Sequence, residues 1–292
     1  MTAHAPGTPS APGNLRARGA EGRCPALALD AGSARTRIWM QGEDTVLDVP
    51  TAFRQGTATA RPVHRGVIVD PAVLTALIAR LADSLPARAR PVLVFTTPVL
   101  SDARHYTTAV SALQILRPRS VLAVDSVKAI ALDSGADLSE PLLVVDVGAH
   151  LSEVALLTDG TVTAACRGTM GTSDLATSTP AELATATTAM IIKMLPDRPS
   201  PELVDALDRG ALLAGGGALH PGLVHQLSTR LRGRIQPVPQ PHTAAVRRAT
   251  RIAGSAQRHP ALSRPLPTAT HKGQLLTEQQ APRACTGQPP HG

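Results

Sequence analysis

Aromatic residues are almost missing from this chain of 292 residues, which has one Trp, one Tyr and two Phe. Trp39, Phe53, Phe95 and Tyr106 offer too few platforms for single-stranded nucleic acid bound by base stacking, and no specific nucleic-acid partner is expected. The core must be built from Leu, Val, Ala and Ile. Cysteine is scarce as well: Cys24, Cys166 and Cys285 lie far apart and form no C-x-x-C pair. That spacing excludes a disulfide framework and a zinc ribbon, and predicts reduced thiols. No window approaches the roughly 18 apolar residues of a membrane span, and the first residues hold no apolar secretion-signal core. A cytoplasmic location is expected. Acidic residues are nearly absent from the C-terminal end, where Arg230 to Gly292 carry ten basic side chains against Glu278 alone. The net charge of +7 is therefore all C-terminal. It reads as a solvated helix face plus a basic tail, or as a contact with an anionic membrane surface.

What the chain does have is three glycine-bearing segments, each ending an apolar run: LALDAGSART at 27–36, LLVVDVGAH at 142–150 and ALLAGGGAL at 211–219. Residues 1–24 and 256–292 are rich in Pro, Gly, Gln, His and Arg, and are expected to be disordered tails. Between them, strands are expected at Ala26–Asp30, Thr36–Met40 and Thr45–Val49. Thr51–Arg65 reads as a loop. A helix should open at Asp70-Pro71, with Asp as N-cap and Pro at the first helical position, because Val73, Leu74, Leu77, Ile78 and Leu81 then recur on one face. Val92–Phe95 is a buried strand, Ser101 caps a helix to about Leu116, Ser120–Val124 is a strand, and a helix from Ser126 ends near Gly135. The second half repeats this order. Strands fall at Leu142–Val147, Glu153–Leu157 and Thr161–Cys166, the last two joined by the hairpin signal Asp159-Gly160. Helices follow at Pro180–Leu195 and Pro201–Arg209, then strand Ala211–Ala214, a helix after Pro221, strand Ile235–Val238 and a helix from Thr243. The pattern predicts two tandem βββαβα lobes, 25–138 and 139–255, facing a cleft.

A carboxylate at a strand end, followed by glycine and a hydroxyl, suits a hydrated Mg²⁺ and a phosphate. Asp30 would hold a metal-bound water while amides near Gly32, Ser33, Ala34 and Arg35 face the phosphate, and Asp146 with Gly148, Ala149 and His150 repeats the device. An ordinary strand-to-turn ending would explain either aspartate alone. Their matched positions favour the phosphate reading. Gly215, Gly216, Gly217, Ala218 and Leu219 would let the backbone approach a nucleoside.

These segments resemble the actin-like ATPase superfamily, and within it the MreB-type bacterial actins. The form D-L-G-T-A-N-T is similar to Asp30–Thr36, R-P-L-K-D-G-V-I-A-D to Arg61–Asp70, D-I-G-G-G-T-T-E to Asp146–Glu153, and D-R-G-I-V-L-T-G-G-G-A-L to Asp208–Leu219. The resemblance runs in order from about residue 26 to 252. It implies an α/β, ribonuclease H-like actin fold around a nucleotide cleft, with ATP and Mg²⁺ as cofactors, the metal held through water by Asp30 and Asp146.

Departures limit the expected activity. Ala149, His150 and Leu151 replace glycines and a threonine in the second loop. The family's E-E-P-M-A-A-A-I-G-A-G becomes Asp125–Gly135, which leaves Asp125 as the one weak catalytic candidate, followed by Ser126. Slow or absent hydrolysis is expected. Both small subdomains are reduced or missing, between Pro50 and Arg65 and after Leu175. The resemblance implies a rod-shape or cytoskeletal protein with weak or vestigial ATP binding, whose partners are cell-shape or envelope proteins or a full-length relative. An active ATPase or phosphotransferase, and a nucleotide-free interaction module, are the alternatives.

Overall fold

The computed structural model describes residues 26–40, 46–55, 58–83, 90–194, 200–258 and 283–284. The first half contains β1 (Ala26–Ala31), β2 (Arg35–Met40), β3 (Leu47–Pro50), β4 (Phe53–Gln55), β5 (Ala58–Ala60), β6 (Val63–His64), β7 (Val67–Ile68), α1 (Pro71–Ala82), β8 (Val92–Thr97), α2 (Ala103–Leu113), β9 (Ser120–Asp125) and α3 (Ser126–Ser134). The second half contains β10 (Leu142–Val147), β11 (Ser152–Thr158), β12 (Thr161–Gly168), α4 (Pro180–Lys193), α5 (Pro201–Arg209), β13 (Ala211–Ala214), α6 (Pro221–Leu231), β14 (Ile235–Pro237) and α7 (Ala244–Arg258), with β15 (Arg283–Ala284) beyond them.

Two sheets carry the chain. Their orders are β3-β2-β1-β8-β9 and β12-β11-β10-β13-β14, the second extended by β15 at the β12 edge. In each sheet the first three strands are antiparallel, and the two strands beyond the first run parallel to it. Apart from β15, each sheet takes five strands, one more than the expected βββαβα order supplies, and the same winding is used twice.

Alternation along the central strands explains the layers. Leu27 and Leu29 of β1, with Leu93 and Phe95 of β8, meet α1 and α2 on one face, while Ala26, Ala28 and Val94 meet Val246, Ala249 and Ala253 of α7 on the other. In the second sheet Leu143, Val145 and Val147 pack with the side chains of α4, α5 and α6, whereas Val144, Ala155 and Leu157 receive Val127, Ile130 and Ala131 of α3. The two halves thus exchange helices: α3 follows the first sheet in sequence but covers the second, and α7 does the reverse. Arg247 of α7 pairs with the buried carboxylate of Asp133 on α3, so this member of the basic C-terminal region is engaged inside the protein.

Several local expectations hold. Asp70 accepts from Val73 N at 3.0 Å and caps α1 ahead of Pro71. Gly135 is the left-handed C-cap of α3, and Asp159-Gly160 turn with positive φ between β11 and β12. Others need correction. The α2 cap is Asp102, whose carboxylate reaches His105 N at 2.7 Å, because Ser101 folds back on Pro98 O. The stretch read as a loop forms two hairpins, β4–β5 and β6–β7. A 3₁₀ turn follows β12 at Thr172–Ala176. α7 runs past the expected lobe boundary to Arg258, and Arg283–Ala284 of the tail add a strand parallel to β12. Cys166 is disulfide-bonded, which corrects the expectation of reduced thiols. Long-range return of a chain tail leaves no trace in cysteine spacing. Residues 1–24 lie outside the described residues, as does the tail beyond Arg258 apart from β15.

Candidate functional site

Each aspartate-bearing loop is a tight hairpin at the end of the first strand of its sheet. Gly32 N donates to Arg35 O at 3.0 Å, and Gly148 N donates to Leu151 O at 2.8 Å, so the same turn follows Asp30 and Asp146. The third loop completes the floor. Gly215 has φ +77°, and a Cβ there would stand 2.4 Å from Asp146 Oδ1 and 2.3 Å from Val147 O. Only glycine lets this loop lie against the second one.

The three loops enclose a cleft of about 280 Å³ between the sheets. Asp30, Gly32, Ser33, Ala34, Arg35, Asp146, Gly148, Ala149, His150, Gly215 and Gly216 line it. Four expected residues do not. Gly217 and Ala218 are packed into the core, Gly217 so closely that a Cβ would lie 2.5 Å from Val147 Cβ, and Leu219 is 59% exposed. Asp125 ends β9 beneath the lining, where it accepts a 3.3 Å bond from the Thr97 hydroxyl and burial raises its pKa. Its neighbour Ser126 faces the cleft but donates to Thr97 O at 3.1 Å.

Residues overlooked in the sequence dominate the electrostatics. The register places Arg37 opposite Asp30 and Glu153 opposite Asp146. The signal was present: each lies seven positions after its loop aspartate, which the common turn converts into a cross-strand pair. Thr96 Oγ1 donates to Asp30 Oδ1 at 2.6 Å, and Arg37 pairs with Asp30 Oδ2 at 3.5 Å and Asp48 Oδ2 at 3.2 Å. Glu153 is 4% exposed and accepts from Val99 N. Burial pushes the Asp146 carboxyl up to about 7, the Asp30 charge adds to the rise and Arg37 opposes it. Burial, then Asp146, likewise holds Glu153 well above the ordinary glutamate value.

The residues do not fit the expected Mg²⁺. Asp30 is engaged on both oxygens by a hydroxyl and a guanidinium, and among the described residues no group of three or more His, Cys, Asp or Glu could hold a metal ion.

One side of the cleft is shut by contacts between the lobes. Arg65 in the β6–β7 turn pairs with Asp174 at 3.1 Å, and the His64 and His150 rings lie 5.8 Å apart. Gly66, at φ +75°, approaches Leu151 so closely that a Cβ would stand 2.7 Å from its Cδ2. The 3₁₀ turn braces the second loop from behind, with Thr172 N on Gly148 O at 2.9 Å and Ser173 N on Ala149 O at 2.8 Å. Desolvation lowers the His150 pKa, helped by His64, Arg65 and Arg61 and opposed by Asp174. The bulky second loop thus packs against the opposite lobe and still forms part of the cleft wall.

No protein-family model and no curated protein matches the sequence. Solved structures do match. The crystal structure of MreB5 of Spiroplasma citri bound to ADP superposes with a TM-score of 0.70 at 14% identity, over 82% of this chain and 98% of that one. The AMPPNP-bound form gives 0.70 and 14%, over 81% and 97%. The ethanolamine utilization protein EutJ from Carboxydothermus hydrogenoformans gives 0.52 and 15%, over 77% and 88%. The duplicated sheets, the exchanged helices and these superpositions together show that the chain has the actin-like ATPase fold, in a form similar to MreB.

Proposed function

We propose that this protein is a reduced bacterial-actin relative that binds an adenine nucleotide weakly, turns it over slowly or not at all, and acts through protein contacts in cell-shape or envelope organisation. The observation that carries the reading is the convergence of the Asp30, Asp146 and Gly215 loops on one cleft. The ADP and AMPPNP of the MreB5 structures support the choice of nucleotide. Weak turnover follows from the retracted Asp125, the engaged Ser126 hydroxyl and the second loop, where Leu151 packs against the opposing lobe. The hairpins and 3₁₀ turn standing in for the small subdomains leave little surface for a nucleotide base and for filament contacts, so long polymers are not expected. Its cell-shape or envelope partners would include a full-length relative, and the basic C-terminal region is a candidate contact with anionic lipid. No helix among the described residues is long and apolar enough to cross a membrane. A nucleotide-free interaction module is the second reading, favoured by the closure of Leu151 on Gly66.

Calorimetric titration with ADP and with ATP, followed by a phosphate-release assay, tests the reading. Binding at micromolar to millimolar nucleotide with negligible release supports it. Rapid turnover would make the protein an active ATPase, and no binding at millimolar nucleotide would leave the interaction module.

A further inference from the structure

The two cleft hairpins carry opposite charges at the position that faces the loop aspartate. Arg37 faces Asp30 across the first, whereas Glu153 faces Asp146 across the second. We infer that the Arg37 guanidinium is the resident cation of this cleft, and that the protein binds a nucleoside diphosphate without a divalent metal. The inference rests on the nucleotide reading above and deepens it.

A hydrated Mg²⁺ in such a cleft would be held, through its waters, by carboxylate oxygens whose charge no other cation already neutralises. Those of Asp30 face the Thr96 hydroxyl at 2.6 Å and Arg37 Nη1 at 3.5 Å. The same guanidinium extends Nε to Asp48 Oδ2 at 3.2 Å, so one arginine spans both acidic side chains of the β1–β2–β3 edge. The Arg37 side chain is only 14% exposed, and its charge is little screened by salt. A dication brought beside Asp30 would meet that fixed charge, and displacing it would strand a guanidinium in a low-dielectric site.

Across the cleft, the Glu153 carboxylate is taken by the Val99 amide, and Asp146 is pressed against Gly215. Arg35 adds a second guanidinium to the lining. Its Nε bonds Asp48 Oδ1 at 2.8 Å, and with 42% of the side chain exposed it can present free N–H groups to phosphate oxygens. The donors at this end are guanidinium N–H groups, hydroxyls and turn amides, which serve an anion directly.

The test uses the full-length protein. Titration with Mg²⁺ alone should give no binding heat, and ADP should bind with the same affinity in EDTA as in millimolar Mg²⁺. Binding of Mg²⁺ alone, or an ADP affinity that improves about tenfold or more with Mg²⁺, overturns the inference and leaves the nucleotide reading standing. Absence of ADP binding in both buffers overturns the nucleotide reading and this inference with it. Arg37→Leu releases Asp30 Oδ2 and Asp48 Oδ2 from the guanidinium and should acquire Mg²⁺-dependent ADP binding, while Arg37→Lys, which keeps the charge, should stay independent of metal. A metal-independent Arg37→Leu that binds ADP as the native protein does would overturn the role given to Arg37. If Arg37→Leu does not fold, the two titrations of the native protein decide the matter.

Discussion

Replacing Asp146 by asparagine should make the protein more resistant to rising pH. Folding raises this carboxyl from 3.8 to about 7, because it is buried and faces Asp30. A group whose pKa is raised by folding contributes stability that is complete below its unfolded value and is lost as pH climbs through the folded one. At about 1.4 kcal/mol per unit the shift amounts to about 4 kcal/mol, of which linkage places about 2–3 kcal/mol between about pH 5 and about pH 8.5. Coupling to Glu153 spreads the loss over a wider range without changing its sign. His150 acts oppositely: its lowered pKa favours the neutral ring, and that contribution is lost as pH falls below the ordinary histidine value. Comparing native protein with Asp146→Asn at both pH values cancels the His150 part, since asparagine keeps the size of the side chain and removes only its titration. Urea unfolding at about pH 5 and about pH 8.5 should show the native protein losing about 2–3 kcal/mol more than the variant. Parallel losses in the two proteins would refute the assignment of a raised pKa to Asp146.

Three further outcomes follow from the geometry. Gly215→Ala forces a Cβ into the Val147 carbonyl and the Asp146 carboxylate at positive φ, and should cost about 2–4 kcal/mol in urea unfolding; a loss below about 1 kcal/mol would mean that the third loop is not held in place. Arg65→Ala removes the ion pair to Asp174, whose partners are a quarter to a third exposed, so the loss should be about 1 kcal/mol or less and should shrink at high salt. Peptide mapping without reduction should recover Cys166 in a disulfide; recovery of Cys166 as a free thiol would refute the link.

Much of the architecture was legible because it is written in local pattern. Short continuous apolar runs mark β1, β8 and β10, Asp70-Pro71 marks the start of α1, and Asp-x-Gly marks both cleft hairpins. Pairings that arise only from register or tertiary return were harder to read. Arg37 and Glu153 look like outward-facing polar residues of ordinary strands until the shared turn brings each opposite a loop aspartate. The family resemblance sets Asp125 at the place of a catalytic glutamate, yet its carboxyl turns toward Thr97. Ala218 and Leu219 follow the glycines in a recognisable motif, but the 3₁₀ turn sends one inward and the other to solvent. The short hairpins β4–β5 and β6–β7 lack the length for periodicity to show.

The exchanged helices also govern how the chain can be made. As the protein leaves the ribosome, the first sheet emerges with Ala26, Ala28 and Val94 facing nothing, because their cover, Val246, Ala249 and Ala253, is nearly the last folded segment to be synthesised. The N-terminal lobe is therefore begun first and finished last. A truncation before α7 would leave an apolar sheet face bare on the opposite lobe, so nascent or prematurely terminated chains should be the forms that chaperones and proteases retain.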